Sequence, residues 1–323
     1  MAIVNQTEKL VKCTTSLINE WAESKDAITN GPWLVYIGVT NICNIDCAVC
    51  ARQRAMRFEK GLMSFDVFKK IVDQLPLSVR KVYLMKQGEP LLHPEFERFV
   101  GYLRQVRPDI FISFHTNGIR AVKSRMRDIL PLIDSLGISI SAISRETYRK
   151  VHGQDKFETV TANIADISQL LELIDPDKRP HVFIDYVRQK ANSSDGNEEV
   201  VNFFKENFNG LDSVDIHAVY NFQGEIDEGY TDVYERFDYS VFPCCVWPWS
   251  SITFCYDGKV SYCFVEPREN RFIGDITQES FQDIWNGEQF VKFRQRMANK
   301  EFKELADDGF YCNKCSWLWN MRS

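Results

Sequence analysis

Ten cysteines stand unevenly in this chain of 323 residues. Cys13 is alone, three fall between Cys43 and Cys50, and six lie between Cys244 and Cys315. Met1 to Leu10 lacks a basic region followed by an apolar run, so a cytoplasmic chain with reduced thiols is expected. Metal or redox chemistry is then the leading use of the cysteines. Cys43, Cys47 and Cys50 have the spacing C-x3-C-x2-C. Three thiolates on a four-iron cubane leave one iron open to a ligand that is not protein. A structural zinc site completed by a distant residue is the alternative. Cys245, Cys263, Cys312 and Cys315 form C-x17-C-x48-C-x2-C. Four thiolates close a cluster completely, and by spacing they fit zinc equally well. Cys244 competes with Cys245 as ligand, because spacing does not separate neighbours, and Cys255 reads as a small buried residue.

Such loops need elements to hold them. Trp33 to Val39 reads as a buried strand directly before the first cysteine loop, and a helix from Phe65 to about Leu75 starts after Ser64, a good N-cap. Lys81 to Met85, Ile110 to Phe114, Gly137 to Ser141, His181 to Val187 and Val214 to Val219 are further strand-like runs, separated by helical periodicity. The alternation predicts an α/β fold with a parallel sheet, and six strands are too few for a closed eight-stranded barrel. The expected domains are a helical extension over 1–32, a core over 33–238 and a small cysteine-rich domain over 239–323, with one helical stretch from Phe281 to Met297. The 44% hydrophobic content supports a sizeable core. A net charge of -6 gives no footprint for nucleic acid, and the first apolar stretch is too short to cross a membrane.

Taken in order, the motifs resemble the radical S-adenosylmethionine (SAM) superfamily. The C-x3-C-x2-C loop follows the first strand, Gln87-Gly88-Glu89-Pro90 follows the second, Thr116-Asn117-Gly118 follows the third, and Ser139-Ile140-Ser141 lies at the fourth. The resemblance implies a partial (β/α)6 barrel. It implies a [4Fe-4S] cluster on Cys43, Cys47 and Cys50, whose open iron binds SAM and generates a 5'-deoxyadenosyl radical. Gly88, Glu89 and Pro90 would serve the SAM amino group, Thr116 and Asn117 would bind the cofactor as part of the family's Thr-Asn-Gly element, and Ser139 and Ser141 would meet the ribose. Val49 stands where relatives often have an aromatic. His152 stands where they often have arginine, and either salt-bridges the SAM carboxylate or packs as a neutral histidine.

The segment with Cys245, Asp257-Gly258, Cys263, Ile273-Gly274-Asp275 and Cys312-x-x-Cys315 resembles the SPASM region of the same superfamily. The chain ends eight residues after Cys315, which implies the shortened Twitch form with one auxiliary [4Fe-4S] cluster. Related peptide epimerases carry a donor cysteine after the Gly-x4-Cys ligand, where this chain has Phe264. Cys263-Phe264 is instead similar to Twitch-type cyclitol dehydrogenases. The resemblance thus implies oxidation of a sugar or cyclitol, with modification of a ribosomal peptide, epimerisation by Cys244 or Cys255, and a non-catalytic iron-sulfur or zinc protein as alternatives. A flavodoxin- or ferredoxin-type donor would supply electrons. Substrate-side candidates are His115, which could accept a hydroxyl proton, and Lys86 and Gln87, with Arg188 and Asn192 behind them.

Overall fold

A computed structural model describes residues 19–21, 23, 25, 28–55, 59–226 and 245–315. Six strands run parallel in chain order: β1 (Leu34–Ile37), β2 (Lys81–Tyr83), β3 (Phe111–Thr116), β4 (Ser135–Ser139), β5 (His181–Arg188) and β6 (Ser213–Ala218). The expected parallel α/β architecture is present. Alternation decides what each face sees, since successive side chains leave a strand on opposite sides. Val35, Ile37, Val82, Ile112, Phe114, Leu136, Ile138, Val182 and Ile184 have no exposed surface and join one core cluster with the helices. Each such apolar side chain contributes about 1.5–3 kcal/mol by leaving water. Tyr36, Tyr83, His115, Ser139 and Asp185 take the alternate positions and face the other side, the inner face.

Between strands run α1 (Ala51–Ala55), α2 (Phe65–Asp73), α3 (Phe96–Val106), α4 (Lys123–Ile129), α5 (Arg145–His152), α6 (Phe157–Glu172) and α7 (Asn197–Asn207). Ser64 caps α2 as expected, its hydroxyl accepting from the Val67 amide. Helix α3 buries Phe96, Phe99, Val100 and Leu103, a one-face spacing that seats it in the core.

The sheet does not stop at six. After α8 (Trp247–Ser250), strand β7 (Ser251–Phe254) pairs parallel with β1, and β8 (Lys259–Ser261) and β9 (Phe272–Asp275) continue antiparallel, giving the order β6-β5-β4-β3-β2-β1-β7-β8-β9. Strand β7 is too short to announce itself in sequence, and its partner lies some 200 residues earlier. The helical stretch expected from Phe281 to Met297 is two helices, α9 (Phe281–Trp285) and α10 (Glu288–Ala298), followed by α11 (Phe302–Asp307). Gly287 separates them, because a β-carbon there would sit 2.6 Å from the Asp283 carbonyl oxygen. The stretch before β1 is tied to this C-terminal part: Trp285 donates to the Asn30 carbonyl and Trp249 to that of Lys25. Residues 1–18 of the expected extension, Cys13 among them, and the expected boundary near 239 lie outside the described residues. No described helix is long and apolar enough to cross a membrane.

Candidate active site

The first cysteine loop leaves the carboxyl end of β1, where parallel α/β sheets place their sites. Backbone bonds pin it on both sides: the Glu89 amide donates to the Ile42 carbonyl (2.7 Å), and the Ala48 and Asp46 amides donate to the Val151 and His152 carbonyls at the end of α5. Gly88 makes the first contact possible. Its φ is +85°, and a β-carbon would stand 2.7 Å from the Thr40 and Ile42 carbonyl oxygens. Burial pushes the Cys43 and Cys47 thiols up, and each feels Cys50 as a further unfavourable neighbour. Thiols that raise one another's pKa stand close together, and a cation relieves what burial and proximity cost. Among the described residues no three His, Cys, Asp or Glu side chains are already drawn to metal-binding distance. The donor set nevertheless fits an iron-sulfur group. Beside the thiols, Arg52 Nε and Tyr148 Oη are buried with no hydrogen-bond partner among the described residues, and both are donors a sulfide or thiolate accepts from.

Glu89 is buried at 2% exposure and acts as a frame. Its carboxylate accepts from the Leu91 amide (3.0 Å), the Thr116 hydroxyl (2.7 Å) and the Asn117 amide (2.7 Å). Asn117 reaches back to the cysteine loop, its Nδ2 donating to Asn44 Oδ1 (2.8 Å) and lying 3.8 Å from Cys43 Sγ. The second, third and first loops thus form one unit. Ser141 Oγ accepts from the Val187 amide (2.9 Å) and holds β5 rather than pointing free. His152 is neutral, since burial pulls its pKa down to about 4. It lies against Cys47 and is unsuited to the salt bridge considered from sequence. A mainly apolar cavity opens between this loop and the ends of β4, β5 and β6, walled by Cys47, Val49, Ser139, Val187, Val219 and Phe222.

On the inner face, four neighbouring strands converge on one carboxylate. Asp185 Oδ2 accepts from Ser139 Oγ (3.0 Å) and faces His115 Nδ1 (3.3 Å), while Oδ1 faces His217 Nε2 (2.7 Å). His217 Nδ1 faces the Ala218 carbonyl (3.0 Å). With an acceptor at each nitrogen, His217 carries both protons, and its hydrogen bond to Asp185 raises its pKa. Burial opposes the charge on Asp185, yet the two histidines hold its carboxyl far below the usual range. Facing a carboxylate, His115 Nδ1 carries a proton, so the tautomer of the neutral ring has its lone pair at Nε2, which has no hydrogen-bond partner among the described residues. Gly137 lets this happen. It lies opposite His115 in the ladder, and a β-carbon would stand 2.7 Å from the ring. Beside this group, Tyr83 stacks on Tyr36 (5.4 Å) and Tyr36 on Phe264 (4.4 Å), with Trp247 edge-on to Phe264.

Phe264 follows Cys263, so this aromatic wall ends at the second cysteine group. Cys245, Cys312 and Cys315 are buried, burial and the other thiols push Cys312 well up, and burial with Cys315 pushes Cys263 up to about 12. Cys245 belongs to this foursome, while Cys244 lies outside the described residues. Cys255 does not belong; its sulfur lies 3.7 Å from Glu269 Oε1.

The other substrate candidates are engaged elsewhere. The Lys86 side chain is buried and donates to Glu269 (2.9 Å) and the Glu266 carbonyl (3.0 Å), and Gln87 donates to the Glu266 and Pro267 carbonyls. A lysine at that depth requires such partners, so both side chains latch the β2 loop to the C-terminal part. Arg188 donates to the Asn192 carbonyl, and Asn192 bridges the Ser141 and Val187 carbonyls. Sequence reasoning missed Asp185, His217, Gly137 and the Tyr36–Tyr83 pair. A carboxylate within the apolar run of β5 was the available signal.

Residues 37–174 match the model of the radical SAM superfamily, and residues 244–316 match SPASM, an iron-sulfur cluster-binding domain. A GTP 3',8-cyclase of Aliarcobacter butzleri is 26% identical over 137 residues, 42% of each chain, so the match spans less than half of that relative. The SAM-dependent 2-deoxy-scyllo-inosamine dehydrogenase of Niallia circulans is 21% identical over 290 residues, 88% of this chain and 93% of that one. Among solved structures, Streptococcus suis SuiB bound to its precursor peptide SuiA has the same fold, with a TM-score of 0.65 and 14% identity over 86% of this chain and 70% of that one.

Proposed function

The chain belongs to the radical SAM superfamily and carries a SPASM iron-sulfur domain, and from that premise we propose that it oxidises a secondary alcohol on a sugar or cyclitol. Cys43, Cys47 and Cys50 would hold a [4Fe-4S] cluster that with SAM would supply a hydrogen-abstracting radical, and Cys245, Cys263, Cys312 and Cys315 would hold a second cluster able to serve as electron acceptor. A flavodoxin- or ferredoxin-type protein is the proposed source of reducing electrons.

The chain's own residues do the rest. Glu89 fixes the Thr116-Asn117 turn and Gly88 brings the β2 backbone against the cysteine loop. The apolar cavity beside Val49, Val187 and Val219 suits an adenosyl group. Tyr36, Tyr83 and Phe264 offer a flat wall for the C–H face of a ring. The observation that carries the reading is His115, whose Nδ1 is held by Asp185 and whose Nε2, without a hydrogen-bond partner among the described residues, is the atom that would accept a hydroxyl proton. Phe264 in place of a donor cysteine, and Cys255 turned onto Glu269, favour oxidation over epimerisation.

The test incubates reconstituted enzyme with SAM, a reductant and candidate cyclitols in deuterated water. A product lighter by two hydrogens with no deuterium at the abstracted carbon supports the reading. An unchanged formula with one deuterium there refutes it. Oxidation of a residue in a ribosomal peptide is the second reading, motivated by the fold shared with SuiB, and peptides enter the same assay.

A further inference from the structure

His152 ends α5 and its ring lies beneath the first cysteine loop, with three neighbours fixing it. Tyr148 packs on one side, ring centroids 4.4 Å apart. The Ser141 amide donates to Nε2 at 3.2 Å, and Nδ1 faces Cys47 Sγ at 3.3 Å. The Ser141 contact settles the tautomer. A peptide N–H only donates, so Nε2 holds the lone pair and the ring proton of the neutral imidazole is on Nδ1. That proton points at sulfur. The arrangement is rigid, because Ser141 follows β4 and the Val151 and His152 carbonyls take the Ala48 and Asp46 amides of the loop itself.

We propose that His152 is a positioning residue that donates an Nδ1–H···S hydrogen bond to Cys47 and thereby raises the reduction potential of the cluster on Cys43, Cys47 and Cys50. A donor on a ligating sulfur withdraws electron density and favours the reduced, more negative state. The inference rests on the reading of those three cysteines as ligands. It assigns to His152 work on the sulfur rather than on the SAM carboxylate.

The test is an anaerobic redox titration of reconstituted full-length protein followed by electron paramagnetic resonance. The signal that moves on adding SAM identifies the cluster with the open iron. His152→Leu should lower its reduced-to-oxidised ratio at fixed potential about tenfold, a shift of about 59 mV for one electron. His152→Gln, whose amide still donates, should stay nearer to wild type, and the signal that SAM does not move should be the same in all three proteins. His152→Leu with full iron and an unchanged midpoint overturns the proposal. Should that variant not load, wild type labelled with [15N]histidine decides: nitrogen hyperfine coupling to the reduced cluster supports the bond and its absence overturns it. A wild type with no SAM-responsive cluster overturns the ligand reading as well.

Discussion

Glu89→Gln isolates what the buried carboxylate does, because it preserves shape while replacing one acceptor by a donor. Three donors converge on Glu89, from Leu91, Thr116 and Asn117. The Thr116 oxygen also accepts from the Gly118 amide at 3.1 Å, which turns its own proton toward Glu89. With the glutamine oxygen toward Leu91 and Thr116, its NH2 confronts the Asn117 N–H across 2.7 Å. Turned the other way, it confronts two donors. One buried N–H is left unmatched, at about 1–3 kcal/mol. Burial alone pushes the Glu89 carboxyl above its ordinary range, so removing the charge returns part of this, leaving about 2 kcal/mol. At roughly 0.7 kcal/mol/K of unfolding entropy for a chain of this size, the melting temperature falls by about 3 °C. Displacing Asn117 also loosens its bonds to Asn44 and Cys43. SAM affinity in reconstituted protein should fall about tenfold, or about 1.4 kcal/mol. Circular dichroism melting and isothermal titration calorimetry read the two effects. Melting within roughly 1 °C of wild type together with unchanged SAM affinity would refute the framing role of Glu89.

Three further outcomes are expected. The stability contributed by Asp185, whose pKa is lowered, is present above about pH 4 and lost as pH falls, whereas that of His217, whose pKa is raised, is present below about pH 6.5 and lost as pH rises through its folded value. His217→Gln should therefore lag wild type most between about pH 4 and 6.5, by about 1 kcal/mol given the ring's part exposure, and converge with it in alkali; urea midpoints that differ equally from pH 5 to 9 would contradict the pairing. Gly137→Ala should displace the His115 ring from Asp185 at a cost of about 1–3 kcal/mol and abolish substrate oxidation while SAM cleavage persists; full oxidation would rule His115 out. Cys263→Ser should reduce bound iron from about eight to about four per chain and leave SAM binding intact, by iron and sulfide analysis; undiminished iron would dismiss Cys263 as a ligand.

The two cysteine groups, the parallel α/β core and the loops after β1, β2 and β3 were legible in the sequence for a physical reason. Their information is local: ligand spacing within a loop, strand alternation, a glycine where the backbone must turn. The group around Asp185 has no such local signature. His115, Asp185 and His217 lie on three strands far apart in the chain, and only the order and register of β3, β4, β5 and β6 bring them to one carboxylate across a glycine. The same holds for Lys86. Its place beside Gln87-Gly88-Glu89 suggests a substrate contact, but β7 pairing with β1 carries the segment with Glu266 and Glu269 over it, and a buried ammonium takes the partners it is given. The identity of residues that face the cysteines and the inner face follows from the chain; which of them are already spent on one another follows only from strand pairing at long range, because hydrogen bonds and charge pairs depend on distances that no spacing in one segment determines.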